Sequence, residues 1–195
     1  MTAHQKTPQA FTPQMIIPPG WVWIPLKGDR KAVVQELFQD AWNSGPLDSI
    51  GPFIHRIENV MLKAVNQAYD VGGIAIVMPL GTPWHVAVST SIALSMFQTE
   101  TSTLQLPPGE VLETEAGPAV LKIVDNKLPE NAEQDDLVLL RTLELTWVTP
   151  DKSSYLLATA TISGVASEEF TPVTAALTTL ITTMLSAMTW TEVAS

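Results

Sequence analysis

The chain has 195 residues, of which 46% are apolar and 15% charged, and it carries a formal net charge of −10 and no cysteine. That length suits one domain with a sizeable core, and the charge repels phosphate backbones, which argues against direct nucleic-acid binding. Without cysteine there is no disulfide framework, thiol nucleophile or thiolate metal site.

Residues 1 to 16 read as a polar, flexible leader, with residues 17–195 forming a single α+β domain. Met1 to Ala10 lack the basic-then-apolar pattern of a signal peptide, so a cytoplasmic location is expected, with export by a signal-less route left open. Pro18-Pro19-Gly20 is a turn, and Trp21-Val22-Trp23-Ile24 a first strand ended by Pro25. Trp21 and Trp23 stand two apart, so they share a face; they serve the core, or an exposed protein-binding patch if this strand is an edge.

Asp29 caps a helix predicted from Arg30 to about Asn43, with Val33, Val34, Leu37, Phe38, Ala41 and Trp42 on one side. Gly45-Pro46 breaks the chain. A longer helix is predicted from about Ile50 to Val71. Its apolar positions are Ile50, Phe53, Ile54, Ile57, Val60, Met61, Ala64, Val65 and Ala68, and Arg56, Glu58, Asn59, Lys63, Asn66, Gln67 and Asp70 lie opposite. Pro52 is tolerated in the first turn, and Gly72-Gly73 supplies the stop.

The period then changes to two. Ile74–Met78 is a short apolar strand. The segment from His85 to Phe97 is a long one, with Val86, Val88, Ile92, Leu94 and Met96 on one face. Ala87, Ser89, Ser91, Ala93 and Ser95 pave the other. Such small residues admit a helix close to the sheet, or simply face water; the pattern leaves both readings open.

Glu110–Glu115 and Ala119–Val124 form a predicted hairpin around Gly117-Pro118, with Glu113 and Glu115 on one face of a solvated edge. Asn126–Asp136 is an acidic loop in which Asp135 and Asp136 are candidate contacts for a basic partner. Leu137–Val148 and Tyr155–Ile162 complete an antiparallel meander. Arg141 alone breaks the apolar alternation of Leu139, Leu143, Leu145 and Trp147. Its two readings are a pocket cation for an anionic group, or a strand-end cation in water or paired with a carboxylate such as Glu144 or Glu100.

No Asp, Glu, Lys or Arg occurs from Phe170 through Thr191, a span close to bilayer thickness. Phe170, Val173, Leu177, Leu180, Ile181, Met184, Leu185 and Met188 nevertheless share one arc, with threonines opposite. The segment therefore reads as an amphipathic helix and not a membrane span.

The expected fold is α+β: an antiparallel sheet of about six strands packed with three amphipathic helices, as a helix–sheet–helix sandwich. The segment Pro19-Gly20-Trp21-Val22-Trp23-Ile24-Pro25-Leu26, the following helices, the meander and the closing helix running into Trp190 resemble a group of actinobacterial proteins of unknown function. The order of elements is similar to the PsbP-like α+β sandwich. The resemblance spans about residues 17–190 and departs from that group in its helical pair after the first strand, where a hairpin would stand. It implies a non-enzymatic binding or assembly factor, and hence a protein partner or an apolar ligand; it carries over no site residue.

The residues themselves show no nucleophile elbow and no phosphate-binding loop in strand–helix order. His4, His55 and His85 fall in unrelated segments, which offers no converging metal ligands. No catalytic residue, cofactor or metal is therefore expected. The expected function is a non-catalytic accessory or protein-binding domain, with Arg141, Trp21, Trp23, Asp135 and Asp136 as candidate contacts. The alternative is a small-molecule or lipid carrier with an apolar pocket between helices and sheet, lined by adaptable methionines such as Met61, Met78, Met96, Met184 and Met188.

Overall fold

The computed structural model describes residues 10–39, 47–80, 86–98, 104–126, 138–165 and 167–193. The elements in chain order are β1 (Ala10–Gln14), β2 (Trp21–Pro25), α1 (Arg30–Leu37), α2 (Leu47–Asp70), β3 (Gly73–Pro79), β4 (Val88–Gln98), β5 (Glu110–Leu112), β6 (Ala119–Asp125), β7 (Val138–Val148), β8 (Ser154–Val165), α3 (Phe170–Ser186) and β9 (Thr189–Val193). Seven strands form one sheet in the order β2-β3-β4-β8-β7-β6-β5, and β1 pairs with β9 as a separate ribbon. Every pairing is antiparallel. After β4 the chain crosses to the far edge and meanders back, so that β8 closes against β4 along its whole length, from Val88↔Gly164 to Gln98↔Ser154.

Alternation decides which face is buried. Ile92 and Leu94 of β4, Leu143, Leu145 and Trp147 of β7, and Leu156, Ala158, Ala160 and Ile162 of β8 all point to one side and are fully buried. The helix α3 covers them with Leu177, Ile181, Met184 and Leu185. This is the arc read from the sequence, and Thr178, Thr179 and Thr183 each donate a hydroxyl to the carbonyl four residues back, which satisfies it within the helix. Among the described residues no helix is long and apolar enough to cross a membrane.

A second, smaller core lies on the opposite face. Ile24 and Leu26, from β2 and the residue beyond it, pack with Val34 and Phe38 of α1 and its C-terminus and with Ile54 and Val65 of α2. Asp29 caps α1 as the sequence predicts, accepting from the Ala32 N–H at 3.0 Å. The chain leaves α2 through Gly72, whose φ of +88° is left-handed and therefore suited to glycine. Gly73 is pressed so tightly beneath the helix that a Cβ there would lie 2.5 Å from the Ala68 carbonyl oxygen.

The structure departs from the expectations in several places, among them α1, which ends at Leu37 with Phe38 as its C-cap instead of running to about Asn43, and the sheet, which has seven strands instead of about six. Ala10–Gln14, expected within a leader, is strand β1. The closing helix ends at Ser186, and Thr189–Val193 forms β9 against β1; the β-branched Thr189, Thr191 and Val193 suit a strand once a partner is present. Glu113 and Glu115 lie outside β5, which ends at Leu112. The turn after it is fixed by Thr114, whose hydroxyl donates to the Gly117 carbonyl at 2.6 Å and accepts the buried Trp147 indole N–H at 3.0 Å. Finally, the helices do not cover the two faces equally. α3 contacts β7 and β8 on one face, whereas α1 contacts β2 and α2 contacts β3 at one end of the other. Ser91, Ala93 and Ser95 of β4 are half-buried, while Ser89 and Phe97 on the same side are exposed.

Candidate functional site

Arg141 stands on β7 directly opposite Asp125 of β6. Its Nε donates to Asp125 Oδ1 at 2.6 Å and its Nη2 to Oδ2 at 2.8 Å, a bidentate pair. Nη1 donates to the Thr178 hydroxyl of α3 at 3.3 Å. The partner is thus neither Glu144 nor Glu100: Glu144 pairs with Lys122, its register neighbour on β6, at 3.2 Å, and Glu100 lies outside the described residues. The hydrogen bonds from Arg141 hold the Asp125 carboxyl below the usual aspartate range; desolvation opposes this and charge attraction reinforces it. Both readings of Arg141 meet here, because the pair also lines a cleft of about 340 Å³ between β7 and the first turns of α3, with Leu139, Leu140, Phe170 and Thr174. With the guanidinium charge already balanced by Asp125, the cleft offers little net pull on an anion.

β2 is an edge strand of the seven-stranded sheet, and its Trp21 and Trp23 are half-buried against the main core. Trp23 forms one wall of a larger cleft, about 590 Å³, with Phe11, Ile74 and Met96 as further apolar wall and Lys27, Asp151 and Ser153 as polar lining. Burial works against the charge on Asp151, but hydrogen bonds from Thr149 and Ser153 outweigh it and keep the carboxyl below the ordinary aspartate range. These bonds fix the β7–β8 turn and leave Asp151 a structural carboxylate. Asp135 and Asp136 lie outside the described residues.

The surface most at odds with solvent was not among the sequence candidates. The apolar stripe of α2 is wider than its buried side. Ile54 and Val65 are buried, while Phe53 is 67% exposed, Val60 65% and Val71, just past the helix, 71%. Phe53, Ile57, Val60, Ala64 and Val71 follow spacings of four, three, four and seven, which keeps them on one flank. The opposite flank meets α1: Arg30 donates to the Asn66 side chain at 2.7 Å and sits 4.2 Å from the Tyr69 ring centre. α1 lies over β2 and α2 over β3. On the same sheet face β4 and β8 carry the half-buried Ser91, Ala93, Ser95, Leu157, Thr159 and Thr161 and the exposed Phe97. The sequence carried the signal, a stripe covering half the helix, but not which half the sheet would use.

Compared with known proteins, the chain matches no family model, no curated protein and no solved structure.

Proposed function

We propose that this chain is a non-catalytic accessory domain that works by binding a protein partner, and that the exposed flank of α2 is its working surface. One observation carries the reading. Three large apolar side chains, Phe53, Val60 and Val71, lie about two-thirds exposed along one flank, and contiguous apolar surface of that kind marks interaction sites in soluble proteins. The resemblance to PsbP-like binding and assembly factors points the same way. The test is affinity capture from the native host with the wild-type chain and Val60→Glu side by side. The reading expects a reproducible partner retained by the first and lost by the second; capture that ignores the substitution counts against it.

A second reading, small-molecule or lipid carriage, is favoured by the cleft beside Trp23. Its volume of about 590 Å³ falls in the range of ligand pockets, and its apolar walls with a few polar groups suit them too. A thermal-shift screen with fatty acids and apolar ligands tests it. A ligand in that cleft raises the melting temperature in a concentration-dependent way; flat traces throughout would set the reading aside.

A further inference from the structure

We infer that β6 takes an added strand along Lys122–Asp125, and that this strand belongs to an extended, basic segment of another protein. The surface is separate from the α2 flank and stands or falls without it. β6 is longer than its outer neighbour: β5 pairs only with Ala119, Val120 and Leu121, while β7 pairs with β6 as far as Asp125. Ahead of β5 the chain leaves this line, since Pro107, Pro108 and Gly109 line one cleft with Lys122 of β6 and with Glu144 and Thr146 of β7. One contact sets the bonding phase. The Asn126 N–H donates to the Leu140 carbonyl at 2.9 Å, so Asn126, Val124 and Lys122 turn their backbone N–H and C=O groups toward β7. Ile123 and Asp125 turn theirs outward, in step with Leu121, which faces Glu110 of β5. Among the described residues these outward groups of Ile123 and Asp125 have no partner.

An open edge is a template for strand addition unless proline, a bulge or charges guard it. Lys122–Asp125 has no proline, and its register with β7 runs without a shift. Its two charges are drawn back across the sheet, Lys122 to Glu144 and Asp125 to Arg141. Between them Ile123 is 45% exposed and Val124 38%. They fall on opposite faces, and β-branched residues there suit pairing with a further strand. Charge selects the partner. Both described cations at this edge are already paired. The exposed charges without an ion-pair partner are Glu110, at the end of β5 nearest the added strand, and Glu168 and Glu169, which precede the Phe170 that shares a cleft with Asp125. In the connection from β6 to β7, outside the described residues, the sequence sets Lys127 against Glu130, Glu133, Asp135 and Asp136. With a net charge of −10 besides, the chain attracts Lys and Arg at this edge and repels an acidic strand, a second copy of itself included.

The test begins with the chain alone. Residue-resolved hydrogen exchange should find the Ile123 and Asp125 amides fast and those of Lys122 and Val124 slow. Short linear peptides are then selected against the intact chain from a displayed random library. The inference expects binders rich in Lys and Arg, with β-branched or aromatic residues between, that slow exchange at Ile123 and Asp125. Methylating alternate peptide amides should abolish binding, while methylating the intervening ones leaves it intact. Ile123→Pro removes an outward N–H and no ladder bond, which an edge strand tolerates. That variant should keep the wild-type melting temperature and lose peptide affinity by about tenfold or more; if it does not fold, the methylation pattern decides. Slow exchange at Ile123 and Asp125 in the free chain, no binders, binders without basic excess, or binding indifferent to amide methylation or to Ile123→Pro overturn the inference. So does a dimer of the chain that Ile123→Pro splits, which gives the edge to a second copy.

Discussion

Arg141 shows how far a single residue can be read. Its place in an apolar alternation marks it as needing a partner, because an unpaired cation beside a packed face is costly. The partner itself depends on the register between β6 and β7, and alternation fixes the face of a strand but not its register. Asp125, 60% exposed at its side chain, makes the pair a surface one, for which about 0.2–1 kcal/mol is typical. A carboxyl with a depressed pKa adds stability that is complete above its unfolded value of about 3.9 and is lost as the pH falls through the folded one. Arg141→Met should therefore lower stability by about 0.5 kcal/mol at pH 7, with the gap to wild type closing as the pH drops below about 4; urea titrations at both pH values measure it. Thr114 carries more. Thr114→Val leaves the indole N–H of the fully buried Trp147 without its acceptor, and chemical denaturation should register a loss of about 1–3 kcal/mol.

At the scale of elements, α2 is the instructive one. Its length, its stop at Gly72-Gly73 and its apolar stripe are all legible from spacing. Which part of the stripe is buried is not, since that depends on where β3 runs beneath the helix and on α1 occupying the far flank. Two valines separate the halves. Val65→Ala, in the second core, should cost about 1–3 kcal/mol. Val60→Glu, on the exposed flank, should stay within about 0.5 kcal/mol of wild type. Equal losses from the two would mean that Val60 is not displayed to solvent. Gly73→Ala tests the close approach of helix and strand. Its methyl would meet the Ala68 carbonyl oxygen at 2.5 Å and Leu26 Cδ1 at 2.8 Å, so a destabilisation of about 1–3 kcal/mol is expected from overpacking. The end of α3 was misread for a related reason. Nothing local between Ser186 and Trp190 forbids helix, and the strand exists because β1, some 180 positions earlier, pairs with it.

At the scale of the molecule, period-two and period-3.6 patterning is enough for an α+β chain with helices over an antiparallel sheet. It does not say that α3 packs on β7 and β8 on one face while α1 and α2 pack on β2 and β3 on the other. The functional account turns on the flank of α2 that this packing leaves exposed at Phe53, Val60 and Val71. Hydroxyl-radical footprinting of the full chain, purified and then in host extract, reads this surface directly. The account predicts strong labelling of Phe53 and Val60 in the purified chain and their protection in extract, with Val111 on β5 labelled alike in both. Labelling of Phe53 and Val60 that is the same in the two samples would contradict it.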